Sequence, residues 1–352
     1  MSDITLRQSR RRPRAMLMVP AASALILLLG WSVLWEVARQ QAISAMDGWI
    51  AAEAAHGRQW SCPGRDVSGF PFRIALSCSD VSFAGVVDGA RAEGHLAGLS
   101  AEVWLYEPSS VDIALAGPLA LTSQDGHADF TLSWAALHAT LRGLVGGMKR
   151  IELVADGADL LRPDGRGGGH ADRVALHAGP AAGRPGDDVA DAVDLVVTGA
   201  MIPALDALTG EGARFDGAVT GVVTQAFGDL PDLGMRTVER WRSRGGHLEV
   251  SSLVLGKGDL RATAAGTLGL DDRHRVAGRL DAGLSGFEPL MRRFGIPVRA
   301  AAIGGLLAKL LGGKTAPPAP DAAGTMTLPI VFGDGAMSIG PFKTALRLPP
   351  LY

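Results

Sequence analysis

Two thiols, eight imidazoles and one glycine–lysine–threonine run are the residues in this chain best suited to chemistry. Cys62 and Cys78 are its two cysteines. They lack the C-x-x-C spacing of a redox or zinc pair, so the expected role is a structural disulfide if their compartment oxidises thiols. Closing that 16-position loop is worth about 3 kcal/mol in the chain-entropy model. Ala308-Lys309-Leu310-Leu311-Gly312-Gly313-Lys314-Thr315 fits a phosphate-loop pattern. A working phosphate loop needs a strand before it and a helix after it. Here a helical pattern precedes and Ala316-Pro317-Pro318-Ala319-Pro320 follows, so nucleotide binding is rejected.

The histidines are scattered, and no H-E-x-x-H or Cys-plus-His spacing occurs. His170-Ala171-Asp172 offers two ligands on one side of a strand, an arrangement more often solvated than metal-bound. No G-x-S-x-G elbow or S-x-x-K appears. The expectation is a protein that is not an enzyme, with no metal and no cofactor. Arg236, Arg240, Arg242 and Arg244 surround Trp241. That patch reads either as a contact for anionic lipid headgroups or as a solvated helix end stopped by Gly245-Gly246. A net charge of −2 over 352 residues gives no reason to expect a nucleic-acid partner.

The elements that would carry these residues begin with an uncharged run from Ala15 to Trp35. As a helix its 21 residues reach about 31 Å, the thickness of a bilayer core. Trp31 and Trp35 fall at its far end, where indoles prefer the membrane interface. Arg7, Arg10, Arg11, Arg12 and Arg14 precede it and mark the cytoplasmic side. The run is longer than a signal-peptide core and no convincing cleavage site follows. The expected topology is therefore a single-pass inner-membrane anchor over 15–35, with a basic tail at 1–14 inside and the bulk of the chain in the periplasm. A stalk helix is expected over 36–58.

Beyond Trp60 the hydrophobic period becomes two. Phe72, Ile74, Leu76 and Cys78 alternate with Arg73, Ala75, Ser77 and Ser79, as a half-buried strand does. The alternation returns at Leu99–Leu105, Val111–Leu115, Phe130–Trp134, Val174–Ala178, Val193–Val197, Leu248–Val250, Leu260–Ala264, Val276–Ala282, Leu328–Phe332 and Met337–Ile339. Gly333-Asp334-Gly335 joins the last two as a hairpin turn. Helical interruptions are expected at Ala135–Val145, Pro203–Thr209, Gly234–Arg242, Gly286–Phe294 and Ala300–Leu311, with a proline-rich loop over 312–324. The fold class is thus mainly β (α+β): an anchor and stalk, then extended curved antiparallel sheet over 59–352. Related halves near 59–200 and 201–352 are compatible with the pattern. An apolar sheet face must be covered by helices, another sheet or a ligand. Phe72, Ile74, Leu76, Val276 and Leu280 are the residues expected to contact lipid if the cover is a ligand.

Three segments carry a resemblance. They are Trp60 through Gly69-Phe70-Pro71-Phe72-Arg73, the strand from Asp259 through Gly266-Thr267-Leu268-Gly269-Leu270-Asp271, and the ending Leu328-Pro329-Ile330 through Leu348-Pro349-Pro350-Leu351. Together they resemble a proteobacterial membrane-anchored envelope family catalogued as domain of unknown function number 2125. More distantly the layout is similar to AsmA-like periplasmic proteins, which implies an apolar β-groove and a part in phospholipid movement. The partners this implies are membrane lipid and envelope proteins, with no nucleotide.

Overall fold

The structure, a computed structural model, describes residues 13–87, 90–124, 129–143, 150–163, 168–182, 190–203, 206, 212–226, 235–286, 326–340 and 342–351. Helix α1 runs unbroken over Pro13–Ala55, so the expected anchor and most of the expected stalk form one rod of about 64 Å. Pro20 lies inside this helix, where it removes one backbone donor. From Met18 onward this helix is long and apolar enough to cross a membrane.

Among the described residues seventeen strands follow: β1 Gln59–Ser61, β2 Asp66–Ser68, β3 Arg73–Val87, β4 Ala90–Trp104, β5 Glu107–Ser123, β6 Phe130–Ser133, β7 Ala136–Arg142, β8 Arg150–Leu161 and β9 Gly169–Pro180 come first. Then come β10 Asp191–Ala200, β11 Phe215–Val223, β12 Leu248–Lys257, β13 Leu260–Leu270, β14 Val276–Ser285, β15 Met326–Gly333, β16 Ala336–Ile339 and β17 Phe342–Arg347. A short helix, α2 Met235–Ser243, interrupts them between β11 and β12. The fold is mainly β, and all pairings are antiparallel.

From β3 to β17 the strands meander, each pairing with its neighbours in sequence, while β6 and β7 share the space between β5 and β8. β1 and β2 both lie on the outer edge of β3. Among the described residues no register joins that edge to β17. The sheet is continuous past position 200, because β10 pairs with β11 from Asp191↔Val223 to Ala200↔Phe215.

One expectation needs correcting. Residues 136–142 form β7, not a helix. Leu137, Ala139 and Leu141 alternate with His138, Thr140 and Arg142. Pairing with β5 on one side and β8 on the other overrides the helical propensity of Ala135-Ala136-Leu137. The helices expected at Gly286–Phe294 and Ala300–Leu311, the 312–324 loop and the phosphate-loop look-alike lie, apart from Gly286, outside the described residues.

A candidate apolar groove

Because facing residues in an antiparallel ladder project to the same side, the registers can be read across the sheet as rows. One row runs Leu76, Ala101, Ile113, Ala139, Leu153, Leu176, Leu195, Val219, Leu253, Ala264, Ala282, Leu328, through twelve strands without a polar residue. The next row on the same face is Cys78, Leu99, Leu115, Leu137, Ala155, Val174, Val197, Gly217, Leu255, Ala262, Leu284. The row between them projects to the other side. Nearby on that side run Ala75, Glu102, Asp112, Thr140, Glu152, His177, Asp194, Thr220 and Ser252. One face of the sheet is apolar along these rows, and the other mixes polar side chains with Ala114, Val154, Ala175, Val196, Ala218 and Val254.

The apolar face keeps its side through a line of irregularities. Asp80, Gly157 and Gly199 have φ of 51°, 61° and 62°, the left-handed region. The β4–β5 register shifts between Leu96 and Gly98. Beyond this line the apolar residues change phase: Val81, Leu96, Leu119, Leu132 and Leu160 now face one another. A small cavity of about 210 Å³ shows the two phases on one surface. Leu132, Ala158, Leu160, Ala171 and Ile202 line it from beyond the break and Val197 from before it. The register shifts at Leu96/Gly98 and Val197/Ala200 turn the side chains that follow them, and there they restore the apolar side.

This face is partly covered: no residue of the two apolar rows is exposed, whereas Val196 and Val254 on the other face are 42% and 45% exposed. Among the described residues no large side chain is less than 2% exposed. Leu153, Leu176, Leu195 and Val219 are half-buried. The densest packing is a patch on β12–β14, where Val250, Ala264, Leu280 and Ala282 are buried with Ile330 and Phe332 against them. Of the expected lipid-contact residues, Ile74 and Leu76 lie on the apolar face of β3, and Val276 and Leu280 on that of β14. Ile74 is 7% exposed and Leu280 6%, so both are packed within the protein. Phe72 stands apart in the turn before β3 and is 56% exposed.

α1 is clamped along β3. The Trp31 Nε1–H donates to the Pro71 carbonyl at 2.7 Å and the Trp35 Nε1–H to that of Arg73 at 2.9 Å. Their rings meet Phe72 and Phe70 at centroid distances of 5.9 and 5.5 Å. Farther along, Arg39 donates to the Val67 carbonyl and Arg65 pairs with Asp47 at 2.5 Å. At the far end Trp60 stacks between Trp49 and Phe83 and donates to Glu53, which also holds Arg58. The Arg58 guanidinium lowers the Glu53 pKa below its ordinary value. Cys62 and Cys78 are joined as a disulfide with a Cα–Cα distance of 5.3 Å, fastening the β1–β2 connection to β3.

The charged clusters are internally paired. The two ring nitrogens of His170 face the Asp159 and Asp172 carboxylates at 2.8 and 3.1 Å, donating to both when the imidazole is protonated, and Asp172 also pairs with Arg214. The Asp159 and Asp172 carboxylates raise the His170 pKa, and the Arg214 guanidinium followed by His170 lowers that of Asp172. Among the described residues no group of three possible ligands is placed to hold a metal ion. In the basic patch, Arg242 is held by Glu239 and Asp272, and the Trp241 N–H donates to the Thr224 carbonyl. That tryptophan is committed to the body of the protein.

Neither the curated proteins nor the solved structures searched give a match to this chain. The family model described as "Uncharacterized protein conserved in bacteria (DUF2125)" matches residues 35–346, spanning nearly all of the sheet, and the chain belongs to that family.

Proposed function

We propose that this is a non-enzymatic, inner-membrane-anchored periplasmic protein whose sheet binds the acyl chains of phospholipid for envelope homeostasis. The observation that carries this reading is the apolar row through twelve strands, with its middle residues half-buried. Sheets of this size normally cover such a face with a second layer. A lipid tail suits it because the surface is long, uniform and free of fixed polar partners. Each methylene removed from water contributes about 0.8 kcal/mol, so a few strands hold a chain without any catalytic group. The anchor supports the same reading, since its leucines are bare: Ile26, Leu27 and Leu28 are all more than 60% exposed.

The test is to purify the full chain from its membranes in mild detergent, extract it with solvent and identify lipid by mass spectrometry. Phospholipid in near-equimolar amount, above an equally loaded unrelated single-pass protein, is the expected result. Lipid at the control level would remove the groove from the account and leave an anchored scaffold.

A further inference from the structure

We infer that the sheet dips its near rim into the membrane that α1 crosses, so that the groove opens inside the lipid interface and not in water. This rests on the membrane-spanning reading of α1 and deepens the lipid-groove reading by naming where lipid enters. The helix acts as a ruler. Trp31 and Trp35 close the uncharged run that begins at Ala15. They are one helical turn apart, about 6 Å along the axis. Their contacts with Phe72, Pro71, Phe70 and Arg73 set that turn of the sheet level with the last turn of the run.

A second turn is tied to the same level. The Leu105 N–H donates to the Phe72 carbonyl at 2.9 Å, and Trp104 and Tyr106 flank it with rings 5.3 Å apart. Phe70, Phe72 and Tyr106 are 54%, 56% and 72% exposed. Packing on Trp35, Trp31 and Trp104 leaves more than half of each of them open. Six aromatic rings in one tier, at the end of an apolar helix, match the girdle that anchors membrane proteins at the interface. Charge enters at the upper edge of this tier, where Glu107 stands opposite Trp104 and Arg73 pairs with Glu102 at 2.9 Å. Ile74, Leu76 and Val103, the start of the apolar face, lie directly beyond the rim. A lipid tail can then pass from bilayer to sheet along a continuous apolar path.

The full-length chain in vesicles of phosphatidylethanolamine and phosphatidylglycerol gives the test. A nitroxide placed through Tyr106→Cys, with Phe70→Cys as a second reporter, is read for collision with oxygen and with a polar nickel complex. The native thiols are paired, so the label is site-specific. Leu27→Cys in α1 is the membrane reference and Leu161→Cys, at the opposite end of its strand and 64% exposed, is the aqueous one. Expected is high oxygen and low nickel accessibility at 106 and 70, with the reverse at 161. Aqueous behaviour at 106 and 70 with a lipidic Leu27→Cys label would overturn the inference and leave the anchor standing. A label at 161 that is also lipidic would overturn it too, since the whole sheet would then lie on the bilayer. An aqueous label at 27 would remove the anchor and the inference together. Lipid carried by the purified protein reports on the groove separately from all of these.

Discussion

Asp191 opens β10 two positions before Val193, on the apolar side of the ladder, where it faces Pro180 and Val223. Desolvation raises its pKa above the ordinary value of 3.8. A carboxyl with a raised folded pKa opposes folding when ionised, and that opposition vanishes once both states are protonated. Asp191→Asn is therefore expected to raise the melting temperature at neutral pH. The difference from the native chain should shrink as pH falls through the folded pKa and end near 3.8. Thermal melts across that range check it, and a difference that grows on acidification contradicts it. Lys257 poses the opposite case. It is 3% exposed, and its Nζ reaches Asp206 at 2.5 Å and the Ala213 carbonyl. Asp206→Ala leaves a buried ammonium with one acceptor, for an expected loss of about 1–3 kcal/mol in urea unfolding. A pair 51 positions apart leaves no trace in local sequence. The pairing of Cys62 with Cys78 could be read because its signal is local and its chemistry narrow, whereas the docking of Trp31 and Trp35 on Phe70–Arg73 could not.

Strands were readable wherever one face met oil and the other water. Phe72 to Ser79 and Val276 to Ala282 show this alternation in the bare sequence. β11 is harder, because Gly217 and Gly221 take the apolar positions and erase the pattern. β8 hides for another reason: the left-handed Gly157 shifts the phase midway along it. Glycines of this kind are where elements resist substitution. Gly278 faces Leu268 across the β13–β14 ladder with a φ of 138°, and a Cβ there would come within 2.2 Å of the Thr267 carbonyl oxygen. Gly278→Ala combines backbone strain with a clash against backbone that cannot rotate away. The expected loss is about 1–3 kcal/mol, seen as a lower urea midpoint with an unchanged slope. A neutral result would mean that β13 and β14 separate more easily than their ten paired positions suggest.

At the scale of the molecule the groove is a property of many strands at once. Leu176 and Leu195 face each other midway along the long apolar row, both half-buried. Leu176→Glu combined with Leu195→Glu places two carboxylates where acyl chains are proposed to lie. The expected outcome is loss of most copurifying phospholipid while far-ultraviolet circular dichroism keeps its β signature. Retained lipid with a folded sheet would move the ligand elsewhere. The mainly β class and the apolar helix could be read from sequence. The unbroken row could not, because it depends on eleven successive registers, each set by turns and bulges that periodicity does not reveal. The meander has one more consequence, and it concerns time. Each strand from β3 onward finds a partner earlier in the chain, in most cases the strand just before it. A chain emerging amino end first can add hairpin to hairpin, with no strand kept waiting for one synthesised much later. Its first pairing strand is fastened by the disulfide and lies against the helix. The sheet can grow outward from that fixed post like a fence built from its gate.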